Sequence, residues 1–172
     1  MATVDDDVFV LGLDLDNTTL AFNDGFALDV FGGVEAQLCL EPFSLPEPDD
    51  YDYSNWHCIS GDKRAFMPFY KPFVESRGLS RLRVYSGASE ALWRMSDAGI
   101  HIRIITHRLI IKGLHAQIAA DTVTSLEQQG DTIPYRDLVF SGLKHQVHAD
   151  VYVDDAPSVI SSLQKHGKDV LI

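Results

Sequence analysis

The sequence predicts an α/β fold: a doubly wound parallel sheet of about five strands, with a small helical cap inserted after strand one. Three observations carry this expectation. Residues 8–13, VFVLGL, form an apolar run of strand length, the signature of a strand buried on both faces. From residue 89 onward, helical and strand patterns alternate regularly. Residues 21–85 break that alternation and hold most of the aromatic side chains.

VFVLGL is the first strand and the one expected at the centre of the sheet. The next stretch divides the chain into a core of residues 1–20 and 86–172 and an insertion of residues 21–85. Within the insertion, EPFSLPEPDDYDYSNW is rich in proline and acid and reads as an irregular loop. SEALWRMSDAG places Ala91, Leu92 and Met95 at helical spacing and stops at Gly99. HIRIIT is a β-branched strand. Leu109–Gln129 places Ile111, Leu114, Ile118, Val123 and Leu126 near one helical face, with Gly130 as terminator. DLVF and DVYV are short strands, PSVISSLQKHG is a helix opened by Pro157, and KDVLI is the last strand.

A chain of 172 residues with 45% hydrophobic and 23% charged content has the composition of a folded globular protein. Its formal net charge of −11 argues against nucleic acid or an anionic membrane as partner, since either would repel it. A small anionic substrate needs only local neutralisation by a cation or a few lysines. Cys39 and Cys58 form no CxxC pair, so no zinc or redox motif is visible, and two reduced thiols are expected. The opening MATVDDDVFV is acidic where a signal peptide would be basic, and no apolar run approaches the roughly 20 residues of a spanning helix. The expected location is cytoplasmic. A homodimer is compatible with the sequence, which gives no handle on oligomeric state.

Ligands of a doubly wound sheet bind at the carboxyl ends of its strands. The first strand delivers Asp14 and Asp16 there, followed by Thr18 and Thr19. HIRIIT delivers Thr106, followed by His107 and Arg108. DLVF runs into SGLK and Lys144, and DVYV ends on Asp154 and Asp155. Each feature alone is ordinary turn or cap chemistry. Their joint arrival at one rim is not.

This order resembles the haloacid dehalogenase superfamily of phosphohydrolases. Asp14-Leu15-Asp16-Asn17-Thr18 matches its first motif, Thr106 the second, Lys144 the third, and Asp154 with Asp155 the fourth. YSGASEAL, IIT followed by HR, DLVF with its lysine, and DVYVDDAP are similar, more narrowly, to 5'(3')-deoxyribonucleotidases of the cytosolic type C group. That group usually carries Gly-Val or Gly-Thr where this chain has Asn17-Thr18, and an aliphatic residue at Thr19.

The resemblance implies a magnesium-dependent hydrolase of small phosphomonoesters, with (deoxy)nucleoside monophosphates as the expected substrates. Electrostatics supports the ion independently. Two like charges about 4 Å apart repel by roughly 4 kcal/mol at an effective dielectric near 20. Several unneutralised carboxylates would therefore rival a folding stability of about 5–15 kcal/mol. Crowding can be relieved by protonation, or by a hard dication such as Mg²⁺. Its expected ligands are the Asp14 and Asp154 carboxylates and the backbone carbonyl of Asp16. Asp14 would attack phosphorus, Asp16 would protonate the departing alkoxide, and Thr106 and Lys144 would stabilise the transferring group. Asp155 would orient Lys144 or a metal-bound water, and Thr18 would buttress Asp16.

Phe22, Phe26, Trp56 and Phe69 are candidates to stack on a base, although for each one taken singly a place in the insertion's own core is the more usual role. His107 and Arg108 are candidates for substrate contact. His145 and His148 read as a surface pair. Two rivals stay open. A phosphoacceptor signalling domain also gathers acids, Thr and Lys at a sheet edge, in a different order. An inactive haloacid-dehalogenase-like binding module is disfavoured by the presence of both Asp14 and Asp16.

Overall fold

The computed structural model describes residues 8–31 and 66–172. Cys39, Cys58 and Trp56 lie outside the described residues. Among the described residues five strands form one parallel sheet: β1 (Val10–Leu13), β2 (His101–Thr106), β3 (Asp137–Phe140), β4 (Val151–Val153) and β5 (Asp169–Leu171). Their order is β3-β2-β1-β4-β5, so the apolar run at the chain's start is central. Leu11 lies opposite Ile102 on one side and Val151 on the other. All four β1 residues are buried, because neighbours on both edges and packing on both faces leave no solvent side.

Among the described residues the helices are α1 (Phe22–Phe31), α2 (Met67–Glu75), α3 (Ala88–Asp97), α4 (His115–Leu126) and α5 (Pro157–Lys165). None of them is long and apolar enough to cross a membrane. The α4 helix starts later than periodicity predicts. Leu109–Leu114 forms turns ahead of it, with Gly113 at φ 86°, a left-handed conformation that an α-helix cannot contain. On α3, only Leu92 of the three expected core residues is buried.

The described residues divide into two compact units. One comprises 8–21, 84–110 and 126–172; the other comprises 22–31, 66–83 and 111–125. The first contains the sheet and a core cluster of Val10, Ile105, Ala149, Tyr152 and Leu163. Gly12 is needed in this unit. A Cβ there would lie 2.9 Å from Ala149 Cβ and 3.0 Å from Ile105 Cδ1. Gly12→Ala is therefore expected to lower stability by about 1–3 kcal/mol through overpacking. A denaturant melt checks this, and an unchanged midpoint would refute it.

The second unit is built on rings. Phe22 stacks on Phe26 at 5.5 Å, and Phe73 meets Phe26 edge-on at 5.2 Å. Phe66 stacks on Tyr70 at 5.1 Å. A Cβ at Gly78 would fall 2.2 Å from the Phe73 ring, so the chain passes this core only as glycine. Two ion pairs fasten the same unit: Arg77 to the fully buried Asp121 at 2.8 Å, and Arg81 to Asp29 at 2.7 Å.

Candidate active site

In a sheet of this order, the chain moves outward from β1 on one side, then returns to the other side of β1. The carboxyl edge beside β1 is thus the switch point where a crevice opens. Asp14 follows β1 directly, and its N–H donates to Val153 O at 3.0 Å, extending the β1–β4 ladder by one step. That bond ties the ends of β1 and β4 together, so Asp14 and Asp154 arrive side by side. Alternation does the rest. Leu13 and Leu15 are buried in the core, which leaves Asp14 and Asp16 to face the rim.

Past Asp14 the chain turns tightly. The N–H groups of Thr19 and Leu20 both donate to Leu15 O, at 2.9 and 2.8 Å. Asn17 sits in the turn at φ 60°. This left-handed conformation suits Gly best and Asn next, which explains how Asn17 stands where glycine is usual in the resembling group. Thr19 is buried, and its hydroxyl donates to Asp14 O at 2.8 Å, a bond no aliphatic residue could supply. Asn17→Val is expected to cost about 1–2 kcal/mol and Asn17→Gly much less. Equal melting temperatures for the two variants would contradict this.

Lys144 lies at the start of a 3₁₀ turn, Lys144–Gln146, after β3. The imidazole of the next residue, His145, stacks on His166 at 3.8 Å and holds this turn against the end of α5. The Lys144 ammonium donates to Asp14 Oδ1 at 2.5 Å and to Asp154 Oδ2 at 2.6 Å, and all three side chains are buried. The Thr18 hydroxyl donates to Asp155 Oδ1 at 3.1 Å, so Thr18 braces Asp155 rather than Asp16 as expected. Thr106 ends β2 almost fully buried, and its carbonyl accepts from Ser141 N–H at 2.9 Å. That bond joins the loops leaving β2 and β3.

Burial pushes the Asp14 carboxyl up to about 7; attraction to Lys144 offsets part of this, and the neighbouring charges of Asp154 and Asp16 add to it. Burial alone would lower Lys144, but Asp14 and Asp154 outweigh it and hold the ammonium above its usual range. Lys144 thus stays charged, and the shortage of positive charge falls on Asp14. Carboxylate oxygens of Asp14, Asp154 and Asp155 lie within 4.8 Å of one another, as a small hard cation would require. The formal charge of these three carboxylates exceeds that of Lys144 by two, which one dication would balance. The donor set fits Mg²⁺.

Of the remaining candidates, His107 is exposed at the rim, with its ring close against Gly142. Arg108 is 1% exposed, and its guanidinium grips Asp16. Phe22 and Phe26 are buried in the second unit's aromatic core, facing other rings rather than an open surface, and Phe69 is half-buried in that unit. An arginine two residues past strand-end Thr106 was visible in the sequence. Its partner was not, because Asp16 is distant in the chain.

Solved structures of haloacid-dehalogenase-type hydrolases agree with this chain in fold. A dehalogenase matches with a TM-score of 0.57 at 11% identity, covering 97% of this chain and 85% of its own. A hydrolase from Streptococcus pneumoniae TIGR4 matches at 0.51 and 18% identity, covering 95% and 91%. The "putative HAD-hydrolase YfnB" from Bacillus subtilis, solved bound to magnesium, matches at 0.53 and 14% identity, covering 95% and 85%. The fold of this protein is therefore that of the haloacid-dehalogenase class.

Within the class, residues 44–172 match the family described as "5' nucleotidase, deoxy (Pyrimidine), cytosolic type C protein", and the chain belongs to it. A "Putative 5'(3')-deoxyribonucleotidase" from Chlorobaculum tepidum is 34% identical over 171 residues, which span 96% of this chain and 78% of that protein.

Proposed function

We propose that the protein hydrolyses (deoxy)nucleoside monophosphates in a Mg²⁺-dependent reaction through a phosphorylated Asp14. The observation that carries this reading is the buried Lys144 ammonium on Asp14 and Asp154 together. It marks Asp14 as a carboxylate held beside positive charge at a rigid strand end, the setting a nucleophile for phosphate needs. The metal would be held by the Asp14 and Asp154 carboxylates and the Asp16 carbonyl, with Asp155 close by; it would supply Lewis-acid polarisation of the phosphoryl oxygens.

The chain's own residues do the remaining work. An Asp14 oxygen forms a bond to phosphorus as the ester P–O bond breaks. Asp16 gives its proton to the departing alkoxide and later takes one from the attacking water. Thr106 donates to a phosphoryl oxygen, and Lys144 balances charge that develops on the transferring group. The aromatic-cored unit is assigned the role of cap. Family membership and the deoxyribonucleotidase relative support the nucleotide as substrate.

Phosphate release from nucleoside and sugar monophosphates, with Mg²⁺ and with chelator, tests this reading. Nucleotides are expected to be turned over fastest, and only with the metal. Equal rates would discard the nucleotidase assignment while leaving hydrolysis intact. Turnover undiminished in chelator would discard the metal.

A pH dependence follows from Asp14. Its folded value of about 7 lies above the unfolded 3.8, so the fold favours the protonated form. The stability this contributes is fully present below about pH 4 and lost as pH rises through 7. Mg²⁺ competes with that proton. The rise in melting temperature on adding Mg²⁺ is therefore expected to be larger at pH 8 than at pH 6. A shift independent of pH would refute the competition.

A further inference from the structure

We propose that Arg108 is the positioning residue of Asp16, holding the acid–base carboxylate in the one orientation from which it serves the leaving group. The proposal rests on the reading above, in which Asp16 donates the proton. Arg108 Nε donates to Asp16 Oδ2 at 3.0 Å, and Nη2 donates to Oδ1. Each carboxylate oxygen thus receives one N–H from a planar fork, which removes rotation of the carboxylate as well as translation. Each oxygen keeps a second lone-pair site, so the fork leaves room for a proton in transit.

Burial sharpens the point. The Arg108 side chain is 1% exposed, whereas Asp16 is 27% exposed. Taking a guanidinium out of water is unfavourable, and apolar residues of similar volume often stabilise a fold as well as a buried ion pair does. A charge in this position is therefore better explained by orientation than by stability. Asp16 also lies in the tight turn beside left-handed Asn17, where its side chain is partly exposed. Arg108 approaches from β2, a different element, and so fixes Asp16 relative to Thr106. This assignment replaces the substrate contact expected of Arg108 from the sequence.

Leaving-group chemistry separates positioning from mere structural support. In the first step Asp14 bonds to phosphorus, the ester bond breaks, and the electron pair departs on oxygen. A nucleoside alkoxide needs the Asp16 proton at that moment, whereas 4-nitrophenolate leaves without it. The experiment measures kcat/KM of Arg108→Lys and Arg108→Met on a nucleoside monophosphate and on 4-nitrophenyl phosphate. A fall of about 30-fold or more on the nucleotide is expected, against about threefold or less on the nitrophenyl ester. Asp16→Asn should show the same split, and Asp16→Asn with Arg108→Lys should be no slower than Asp16→Asn alone.

Equal losses on both esters in the arginine variants, with the split intact in Asp16→Asn, would overturn the proposal and leave the role of Asp16 standing. No split in Asp16→Asn would remove the acid–base reading and the proposal with it. Failure of both arginine variants to fold, judged by their melting transitions, would also overturn it, since Arg108 would then be a prop of the fold.

Discussion

Asp14→Asn is expected to lower kcat by about 10⁴-fold or more while the protein stays folded. The amide matches the carboxylate in shape and keeps an oxygen for the Lys144 ammonium, which lies 2.5 Å from Asp14 Oδ1 in the wild type. It lacks the nucleophilicity to attack phosphorus, so the first bond to the protein cannot form. Stability should move the other way. Wild-type Asp14 is a buried acid pressed by Asp154 and Asp16, and its neutral form is the favoured one up to about pH 7. Metal-free Asp14→Asn should therefore melt above the wild type at pH 8, with the gap narrowing toward pH 5 as wild-type Asp14 takes up its proton. Near-normal turnover by the variant would end the assignment of Asp14 as nucleophile. A gap that widens toward low pH would show that the electrostatic account of this strand end has the wrong sign.

Lys144→Met is expected to have the second largest effect, about 10²–10³-fold in kcat/KM, because in the proposed mechanism it removes the charge that would offset the transferring phosphoryl group. Unlike Asp14→Asn, it should also destabilise the metal-free protein, by about 3–5 kcal/mol. Removing one member of a buried pair leaves its partners uncompensated, and here two carboxylates share one ammonium. Magnesium should restore part of the lost stability, since positive charge from any source relieves Asp14 and Asp154, but it should restore little activity. Thermal melts with and without Mg²⁺, set beside initial rates, distinguish these effects. Full recovery of rate with added Mg²⁺ would show that Lys144 only balances the resting charge.

The two variants probe one site from opposite sides, and the site was legible in the chain to different depths. Asp14, Thr106, Lys144 and Asp154 were all readable because each ends or follows a strand whose apolar or β-branched run is a local signal. In a parallel sheet every such strand delivers its end to the same edge. The helix before residue 130 was legible in kind but not in extent, since Gly113 interrupts the pattern without disturbing its apolar spacing. Rings were legible as a concentration of aromatics, but not as a core. Phe22 and Phe26 carry the same letters whether they face a base or one another, and only packing against Phe73 decides between these.

The parallel sheet, the central place of VFVLGL and the set of polar side chains at its carboxyl edge could be read from the order of residues. These depend on periodicity and strand-end position, which are properties of short segments. The tertiary structure alone decided which polar groups meet: Arg108 takes Asp16, Thr18 takes Asp155, and Lys144 takes both Asp14 and Asp154. Pairing of this kind depends on distances between residues far apart in the chain, set by sheet register and turn geometry. No local pattern encodes them.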